Sequence, residues 1–297
     1  MQAEAETQLR AWIEYYRDLG VRDFYRRSGL VGQAQDHNAG VLESMEAVSP
    51  AVADVAPEGE DILAVAEIPQ PVRLAAPVVP VPADMATRLV SLDKLAPLPT
   101  ITTPAAEQVA ALHAIRHEIG DCTRCPLAYA GRKTIVFGDG SPTARLMFVG
   151  EGPGADEDIQ GLPFVGKAGQ LLNNMIGAMG LQRQDVYIAN IVKCRPPQNR
   201  VPEQVEANTC SQFLLRQIDV VQPKVIVALG STAATYLLGI KQSLSGLRGR
   251  WHTCRGAKLA VTYHPAFLLR DPRQKAEAWK DLQMVMAELG LTSPMRK

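Results

Sequence analysis

The 297-residue sequence has few aromatic residues, no long apolar run and no net charge. A membrane-spanning helix needs roughly 20 consecutive apolar residues, and no stretch of the chain approaches that length. The opening residues, MQAEAETQLR, lack the basic and then apolar order of a signal peptide. These absences predict a cytoplasmic protein without a membrane partner.

Cysteine is scarce as well, and its number is odd. The five cysteines lie at positions 122, 125, 194, 210 and 254. An odd number in a chain without an export signal argues against a disulfide framework. Reduced cysteines of this kind are available as metal ligands.

The zero net charge conceals an asymmetry along the chain. Residues 1–100 hold 8 Lys and Arg against 15 Asp and Glu, whereas residues 101–297 hold 23 against 16. Phosphate binding depends on a local basic face more than on the total charge of the chain. The second part is therefore compatible with DNA binding.

Apolar spacing and proline content divide the chain into three regions. Residues 1–30 predict a short amphipathic helical segment, which we expect to dock on the main domain or on a protein partner. Residues 31–104 predict a Pro/Ala-rich disordered linker, because ten of the 21 prolines lie between Pro50 and Pro104. Residues 105–297 predict the main folded domain.

Within residues 105–297, short β-branched runs alternate with helical stretches. This alternation predicts an α/β fold with a parallel sheet that helices cover on both faces. Ligands of such sheets bind beyond the carboxyl ends of the strands. Glu151, Asn190 and His264 each follow a predicted strand, so we expect them to converge on one site.

The first four cysteines are spaced as a C-x2-C pair, then 68 residues, a third cysteine, 15 residues and a fourth. Zinc ribbons usually contain two short C-x2-C pairs, and this chain has one. Four thiolates from separate elements suit a cubane iron–sulfur cluster. The spacing is equally compatible with Cys194 and Cys210 being buried apolar residues. Cys254 has no partner in this pattern and is predicted to be structural.

Two loops and a strand end contain side chains that can bind a flat base. Phe164 lies between a proline and a glycine and can stack on a ring, or it can belong to the core. The Asn190 amide offers donors and an acceptor, as a pyrimidine edge requires, although an Asn also caps turns. His264 can donate to an oxygen that gains negative charge.

Basic residues surround these positions. They can contact phosphates or can simply be solvated surface residues. Leu268 or Leu269 can wedge into the base stack, unless both belong to the core. The basic residues are Arg195 and Arg200, then Arg248, Arg250 and Arg255, and finally Arg270, Arg273 and Lys275.

Four motifs and the cysteine positions resemble family 4 uracil-DNA glycosylases, the iron–sulfur members of their superfamily. The motifs are GEGPGADED (150–158), GLPFVGKAG (161–169), NIVKCRPPQNR (190–200) and HPAFLLR (264–270). The resemblance covers roughly residues 108–292. It implies a three-layer α/β/α sandwich with a central mostly parallel sheet. It also implies removal of uracil from single- or double-stranded DNA, leaving an abasic site.

The resemblance also implies roles for individual residues. Glu151, Asn190 and His264 would be catalytic, with Asn190 reading the base edge and His264 stabilising the O2 side. Glu151 and Gly152 would line the uracil pocket, and Phe164 would stack on the base. A [4Fe–4S] cluster would be bound by Cys122, Cys125, Cys194 and Cys210. DNA would be contacted by Arg195, Arg200, Arg248, Arg250, Leu268 and Arg270.

Gly152 departs from the best-known family of the superfamily, which has an aspartate at this position. The role of orienting water then falls to Glu151 or to Glu157.

Three alternatives stay open at this point. A relative that captures uracil-DNA covalently through a His carries an inserted basic loop, whereas NRVPEQ here leads directly into a helix. A non-catalytic iron–sulfur DNA-binding or electron-transfer module would tolerate changes at Asn190 and His264. A zinc-stabilised protein of the same shape would be colourless.

Overall fold

Four short apolar segments form the centre of the fold. In the computed structural model, which describes residues 88–292, they are the parallel strands β2 (Leu146–Gly150), β3 (Tyr187–Asn190), β4 (Val225–Leu229) and β6 (Ala257–Thr262). All residues of these strands except Lys258 are buried. Parallel strands covered on both faces have this continuous apolar sequence.

Two short strands extend the sheet at its edges. Strand β1 (Asp139–Gly140) pairs antiparallel with β3, and β5 (His252–Cys254) pairs antiparallel with β6. The order across the sheet is β1-β3-β2-β4-β6-β5. The edge strands contain two and three residues, which is too short to give a period-2 signal in the sequence.

Helices connect the strands and cover the sheet. Their bounds are α1 (Leu92–Leu95), α2 (Gln108–Ile119), α3 (Ala155–Gln160), α4 (Lys167–Ala178), α5 (Gln204–Val221), α6 (Ser231–Leu238), α7 (Leu244–Leu247), α8 (Pro265–Arg270) and α9 (Lys275–Leu289). Short 3-10 turns lie at Pro126–Tyr129, Arg183–Asp185, Pro197–Asn199 and Pro272–Gln274.

The sheet separates two apolar cores. Met147 and Val149 of β2 belong to one core, to which α1, α2, α5 and α6 contribute side chains. Leu146 and Phe148 belong to the other, to which α4 and α9 contribute. Successive strand residues point to opposite faces, so a single strand supplies both cores. The predicted three-layer α/β/α sandwich with a mostly parallel sheet is confirmed.

The carboxyl ends of the parallel strands lie at one edge of the sheet. Gly150 at the end of β2 is paired with Asn190 at the end of β3, and Leu229 is paired with Thr262. The segments that follow these strands begin with Glu151, Ile191, Gly230 and Tyr263.

Helix α1 packs on this domain, although the sequence places it in the predicted linker. Leu92 is fully buried in the first core, and Asp93 Oδ1 accepts a hydrogen bond from the Arg255 main-chain N–H at 2.7 Å. The Arg255 guanidinium also donates to the Ala96 and Pro97 carbonyls. Leucines recur every third residue here, at positions 89, 92, 95 and 98, but the proline content of the surrounding segment predicts a linker instead.

The predicted helical segment at residues 1–30 and residues 31–87 of the predicted linker lie outside the described residues. No helix within residues 88–292 is both long and apolar enough to cross a membrane.

Candidate functional site

Asn190 is buried at the end of β3, and its amide has no hydrogen-bond partner. The residue is 1 % exposed, and neither Nδ2 nor Oδ1 is bonded to any described group. Buried polar atoms are normally satisfied, so an unpaired amide at a strand end needs an explanation. A bound ring with one N–H and one C=O on its edge would satisfy both atoms.

Gly150 provides the space beside this amide. A Cβ added at Gly150 would lie 2.4 Å from Asn190 Oδ1 and 2.6 Å from the Phe164 ring atom Cζ. No real Cβ is tolerated at such distances. The absence of a side chain at position 150 therefore allows the Asn190 amide and the Phe164 ring to approach the same strand end.

The Phe164 backbone adopts the left-handed region, with φ of 52°. This conformation is unfavourable for a bulky residue and is held by its surroundings. Arg183 donates to the Phe164 carbonyl at 3.1 Å and to the Pro163 carbonyl at 2.6 Å. A Cβ at Gly169 would lie 1.9 Å from the Phe164 carbonyl oxygen, so only glycine fits there.

Glu157 joins the acidic loop to the Phe164 loop. Its Oε1 accepts hydrogen bonds from the main-chain N–H groups of Val165 and Gly166 at 2.9 and 3.1 Å, and its Oε2 accepts one from Gly154 at 3.1 Å. Both carboxylate oxygens are therefore engaged in holding two loops. This arrangement argues against Glu157 as the residue that orients water.

His264 caps helix α8 through its side chain. The main-chain N–H of Ala266 donates to His264 Nδ1 at 3.1 Å, so the proton of a neutral ring lies on Nε2. Burial lowers the pKa of His264 to about 4, and the positive charge of Arg270 acts in the same direction. The ring is therefore neutral near pH 7 and offers one Nε2–H donor.

The rings of His264 and Phe164 lie 5.5 Å apart between centroids. Together with Asn190 they surround the end of β2.

Glu151 follows β2 directly and is partly buried. Burial raises the pKa of its carboxyl group, while a side-chain hydrogen bond from Thr232 opposes that rise. Its main-chain carbonyl accepts from Val192 at 3.2 Å, which ties the loop to the segment after β3. Gly152 follows, and a Cβ there would meet Val192 Cγ2 at 2.7 Å. A side chain at position 152 would thus require Val192 to move.

The four predicted cysteine ligands line one cavity on the α2–α5 side of the domain. Phe213, Arg124, Arg132 and Lys193 line the same cavity. All four cysteines are free thiols, and Cys194 and Cys210 are buried. Within residues 88–292, no group of three or more His, Cys, Asp or Glu side chains is assembled for a single metal ion.

Two N–H groups point at cysteine sulfurs in this cavity. Arg132 Nη1 donates to Cys194 Sγ at 3.2 Å, and the Lys193 main-chain N–H donates to Cys210 Sγ at 3.2 Å. Burial raises the pKa of the Cys194 and Cys210 thiols, that of Cys210 to about 12, and the two basic residues oppose the rise. Metal binding has to displace these protons. Donors aimed at sulfur are what a cluster bound by thiolates requires.

Cys254, predicted to be structural, is fully buried on β5 and lies away from the residues that line this cavity.

The structure separates the predicted DNA-contacting arginines into two groups. Arg250 and Arg270 are exposed, and Arg195 is partly exposed with its Nε bonded to Asn199 Oδ1 at 2.8 Å. These three can reach a phosphate.

Arg200 and Arg248 are engaged within the protein. Arg200 makes two hydrogen bonds to the fully buried Glu206, at 2.7 and 2.8 Å. Arg248 donates to Asp281 at 2.7 Å and lies 4.1 Å above the Tyr263 ring. Both guanidinium groups therefore have carboxylate partners within the protein. Phosphate contacts by Arg200 and Arg248 stay a prediction.

The same holds for Arg255, which pairs with Asp219 and with the α1 segment. Charge patterning does not distinguish an exposed arginine from one with an internal partner.

Leu268 also differs from its predicted role as a wedge. It is 1 % exposed, because it lies on the inner face of α8, which packs against α4. The neighbouring Leu269 is 43 % exposed. Of the two leucines offered by the sequence, Leu269 is the one that can reach DNA.

Sequence reasoning missed Arg183 and misplaced Lys193. Arg183 holds the Phe164 loop from the turn before β3, and no motif includes it. Lys193, which the sequence assigns to a basic loop, is only 1 % exposed.

Comparison with known proteins agrees with this geometry. Residues 137–283 match the sequence profile of the uracil DNA glycosylase superfamily. The chain is 46 % identical to the type-4 uracil-DNA glycosylase of Thermotoga maritima over 161 residues, which cover 53 % of this chain and 82 % of that protein. It is 43 % identical over 177 residues to the type-4 enzyme of Pyrobaculum aerophilum, covering 57 % and 90 % respectively.

The type-4 enzyme of Archaeoglobus fulgidus is 38 % identical over 190 residues, which cover 61 % of this chain and 94 % of that protein. Each relative is matched over most of its length, and the superfamily profile over residues 137–283 includes Phe164, Asn190 and His264. The chain belongs to the uracil-DNA glycosylase superfamily and, within it, to the type-4 family.

Proposed function

We propose that this protein hydrolyses the N-glycosidic bond of deoxyuridine in DNA, releasing uracil and leaving an abasic site for base excision repair. The observation that carries the proposal is the buried, unpaired amide of Asn190. It lies where Phe164 and His264 converge, and uracil presents N3–H and O4 on one edge to such a group. The relatives are type-4 uracil-DNA glycosylases, which supports the same substrate.

The reaction needs no strong nucleophile from the protein. Dissociative cleavage of the C1′–N1 bond leaves a sugar cation and a uracil anion, so the enzyme has to stabilise charge. The neutral His264 ring donates from Nε2 to O2 as that oxygen gains charge. Asn190 orients the base edge, and Phe164 stacks on the ring. The base has to leave the helical stack to reach these groups.

Glu151 is the proposed residue for orienting water and for stabilising the sugar cation. It follows β2 beside the pocket, and Thr232 supports its carboxyl group. Glu157 is excluded from this role by its three main-chain hydrogen bonds. Gly152 lines the pocket with its main chain.

Cys122, Cys125, Cys194 and Cys210 are the proposed ligands of a [4Fe–4S] cluster. Their common cavity and the N–H donors at two sulfurs support this assignment. Such a cluster takes one thiolate on each iron and would fix the Cys194–Arg200 loop to helices α2 and α5. A cytoplasmic location, in which thiols stay reduced, is the matching expectation.

The proposed DNA contacts are Arg195, Arg250, Arg270 and Leu269, for single- or double-stranded substrates. A protein partner for the segment at residues 1–30 remains a prediction from its apolar spacing.

The test is incubation of the purified brown protein with an oligonucleotide that contains one uracil, followed by alkaline strand cleavage. A matched oligonucleotide with thymine at the same position is the control. Cleavage at uracil alone is the expected result. Absence of cleavage by protein with verified iron and sulfide would overturn the enzymatic function in favour of a DNA-binding module. Retention of the protein on the uracil strand after denaturation would indicate covalent capture.

A further inference from the structure

Lys193 carries a positive charge in the interior of the domain. Its side chain turns back along the chain, and Nζ donates to the Asn190 carbonyl at 2.9 Å and to Gln217 Oε1 at 2.6 Å. No carboxylate within residues 88–292 forms an ion pair with it. Burial of an ammonium group is unfavourable unless hydrogen bonds compensate for lost water. A lysine in this position therefore calls for a function that an apolar residue would not serve.

The Lys193 ammonium belongs to a buried polar network. Gln217, on helix α5, donates from Nε2 to the Phe137 carbonyl at 2.9 Å and to the Tyr187 hydroxyl at 3.1 Å. The network thus joins α5 to both ends of β3, since Tyr187 begins that strand and Asn190 ends it. Networks in which every member is satisfied fix one arrangement of the groups that they connect.

The same network reaches the cysteine cavity. The Lys193 main-chain N–H donates to Cys210 Sγ, and Cys210 lies on α5 two turns before Gln217. Lys193 is also adjacent in sequence to Cys194. One residue therefore bonds to the strand end that carries Asn190 and to a proposed cluster ligand.

Asn190 needs external positioning because its own amide makes no hydrogen bond to the described protein. What fixes the residue is its main chain: the carbonyl bonds to Lys193, and the next N–H, that of Ile191, donates to the Gly150 carbonyl at 3.0 Å. The peptide plane after Asn190 sets the direction from which the amide projects into the pocket.

We propose that Lys193 is a positioning residue for uracil recognition, which fixes the Asn190 main chain and connects the uracil pocket to the cysteine-bearing helix α5. The proposal rests on the proposed function. It assigns Lys193 no contact with substrate and no proton transfer.

The test compares Lys193→Met with wild type on the uracil oligonucleotide, with Lys224→Met as the control. Methionine fills a similar volume without a donor, and Lys224 is 48 % exposed on the surface. We expect kcat to fall on the order of 100-fold, as for a misplaced catalytic group. KM for DNA should change little, because the phosphate contacts are untouched. Iron content should equal that of wild type, and calorimetry should show weaker binding of free uracil.

A double-mutant cycle separates positioning from general damage. In an Asn190→Ala background, under single turnover with excess enzyme, Lys193→Met should cause little further loss, because the amide that it positions is gone. Lys193→Gln keeps an NH2 group that can donate hydrogen bonds and should recover part of kcat. Gln217→Leu, which removes the second acceptor of the ammonium, should lower kcat in the same direction.

The proposal is overturned if Lys193→Met and Gln217→Leu both keep the wild-type kcat. If Lys193→Met does not fold, a wild-type kcat in Gln217→Leu alone overturns it. Fully additive effects in the double-mutant cycle, or a loss of iron that accounts for the lost activity, would also overturn it. An inactive wild type with a verified cluster overturns the proposed function instead.

Discussion

The rings of Phe164 and His264 are tilted by 34° to each other and lie 5.5 Å apart, although the two residues are separated by 100 positions in the sequence. Neither ring reaches this position through a regular element alone. Phe164 depends on a left-handed backbone, and His264 depends on a cap at the start of α8. The pocket is therefore sensitive to changes in residues that do not line it.

Gly169→Ala should disrupt the Phe164 loop, because the new Cβ would overlap the Phe164 carbonyl. We expect loss of uracil excision by about 100-fold, as for a displaced binding group. The control is Gly177→Ala in the same helix, where nothing lies within 4 Å of the added Cβ. That variant should keep full activity and gain about 0.5–1 kcal/mol of stability from helix propensity. Excision assays and urea unfolding of both variants test the pair.

Asn190→Ala should lower kcat/KM for uracil DNA by about 10²–10³-fold, as for removal of a preorganised group. The free energy of unfolding should change little, because the amide has no partner to lose. Iron content should be unchanged. A variant with wild-type excision would remove Asn190 from the pocket assignment.

The pH dependence of excision should show no transition at the ordinary histidine value of 6.5. The pKa of His264 is lowered to about 4, so its ring stays neutral until the pH approaches 4. A fall in activity at higher pH would come from protonation of Glu151, because burial raises the pKa of that carboxyl group. Protonation of Nδ1 would also remove the acceptor for the Ala266 N–H. A rate profile with His113→Gln as the control, since His113 is exposed, tests this expectation.

The same shift predicts how stability depends on pH. The unfolded chain binds a proton to this histidine below about 6.5, whereas the folded protein does so only below about 4. Stability should therefore decrease as the pH falls from 6.5 to 4 and should not depend on His264 above that window. In His264→Phe, this part of the pH dependence of urea unfolding should be absent.

Substitution of Leu268 should affect stability, whereas substitution of Leu269 should affect excision from DNA. Leu268→Ala removes a buried side chain and should cost about 2–5 kcal/mol of unfolding free energy. Leu269→Ala should leave stability within about 0.5 kcal/mol of wild type, because the side chain is exposed. It should slow excision from duplex DNA more than from single strands, since only the duplex has to be unstacked. Equal effects on both substrates would contradict a wedge.

Deletion of residues 1–87 should leave excision of a short oligonucleotide nearly unchanged. Deletion of residues 1–97 also removes α1, so that Leu92 is lost from the core and Arg255 loses three partners. The longer deletion should lower the free energy of unfolding by roughly 3 kcal/mol or more. Thermal unfolding of the two truncated proteins provides the comparison, and equal stability would contradict the docking of α1.

The sequence predicts the fold well because strand and helix periods are local properties. β2, β3, β4 and β6 are apolar runs bounded by turn residues. Glu151, Asn190 and His264 lie at one edge of the sheet because the parallel strands end there. The direction in which a side chain points is not determined by the local sequence. Leu268 and Leu269 are identical in type and adjacent, and only the packing of α8 decides which is buried.

Internal partners are equally invisible in the sequence. Arg200, Arg248 and Lys193 contribute to the basic character of the chain. Each donates a hydrogen bond to a side chain of the protein, to Glu206, Asp281 and Gln217 respectively. Charge counts therefore overstate the basic surface near the pocket. The left-handed backbone of Phe164 is likewise held by Arg183, which lies outside its motif, together with Gly169 at the end of the motif.

The contact between position 152 and Val192 has a consequence for how such pockets diverge. Any side chain at position 152, an aspartate included, would collide with a methyl group on the neighbouring loop. A carboxylate at position 152 therefore requires Val192 to shift or to be replaced by a smaller residue. The two positions form a coupled pair, so the effect of a change at one should depend on the residue at the other.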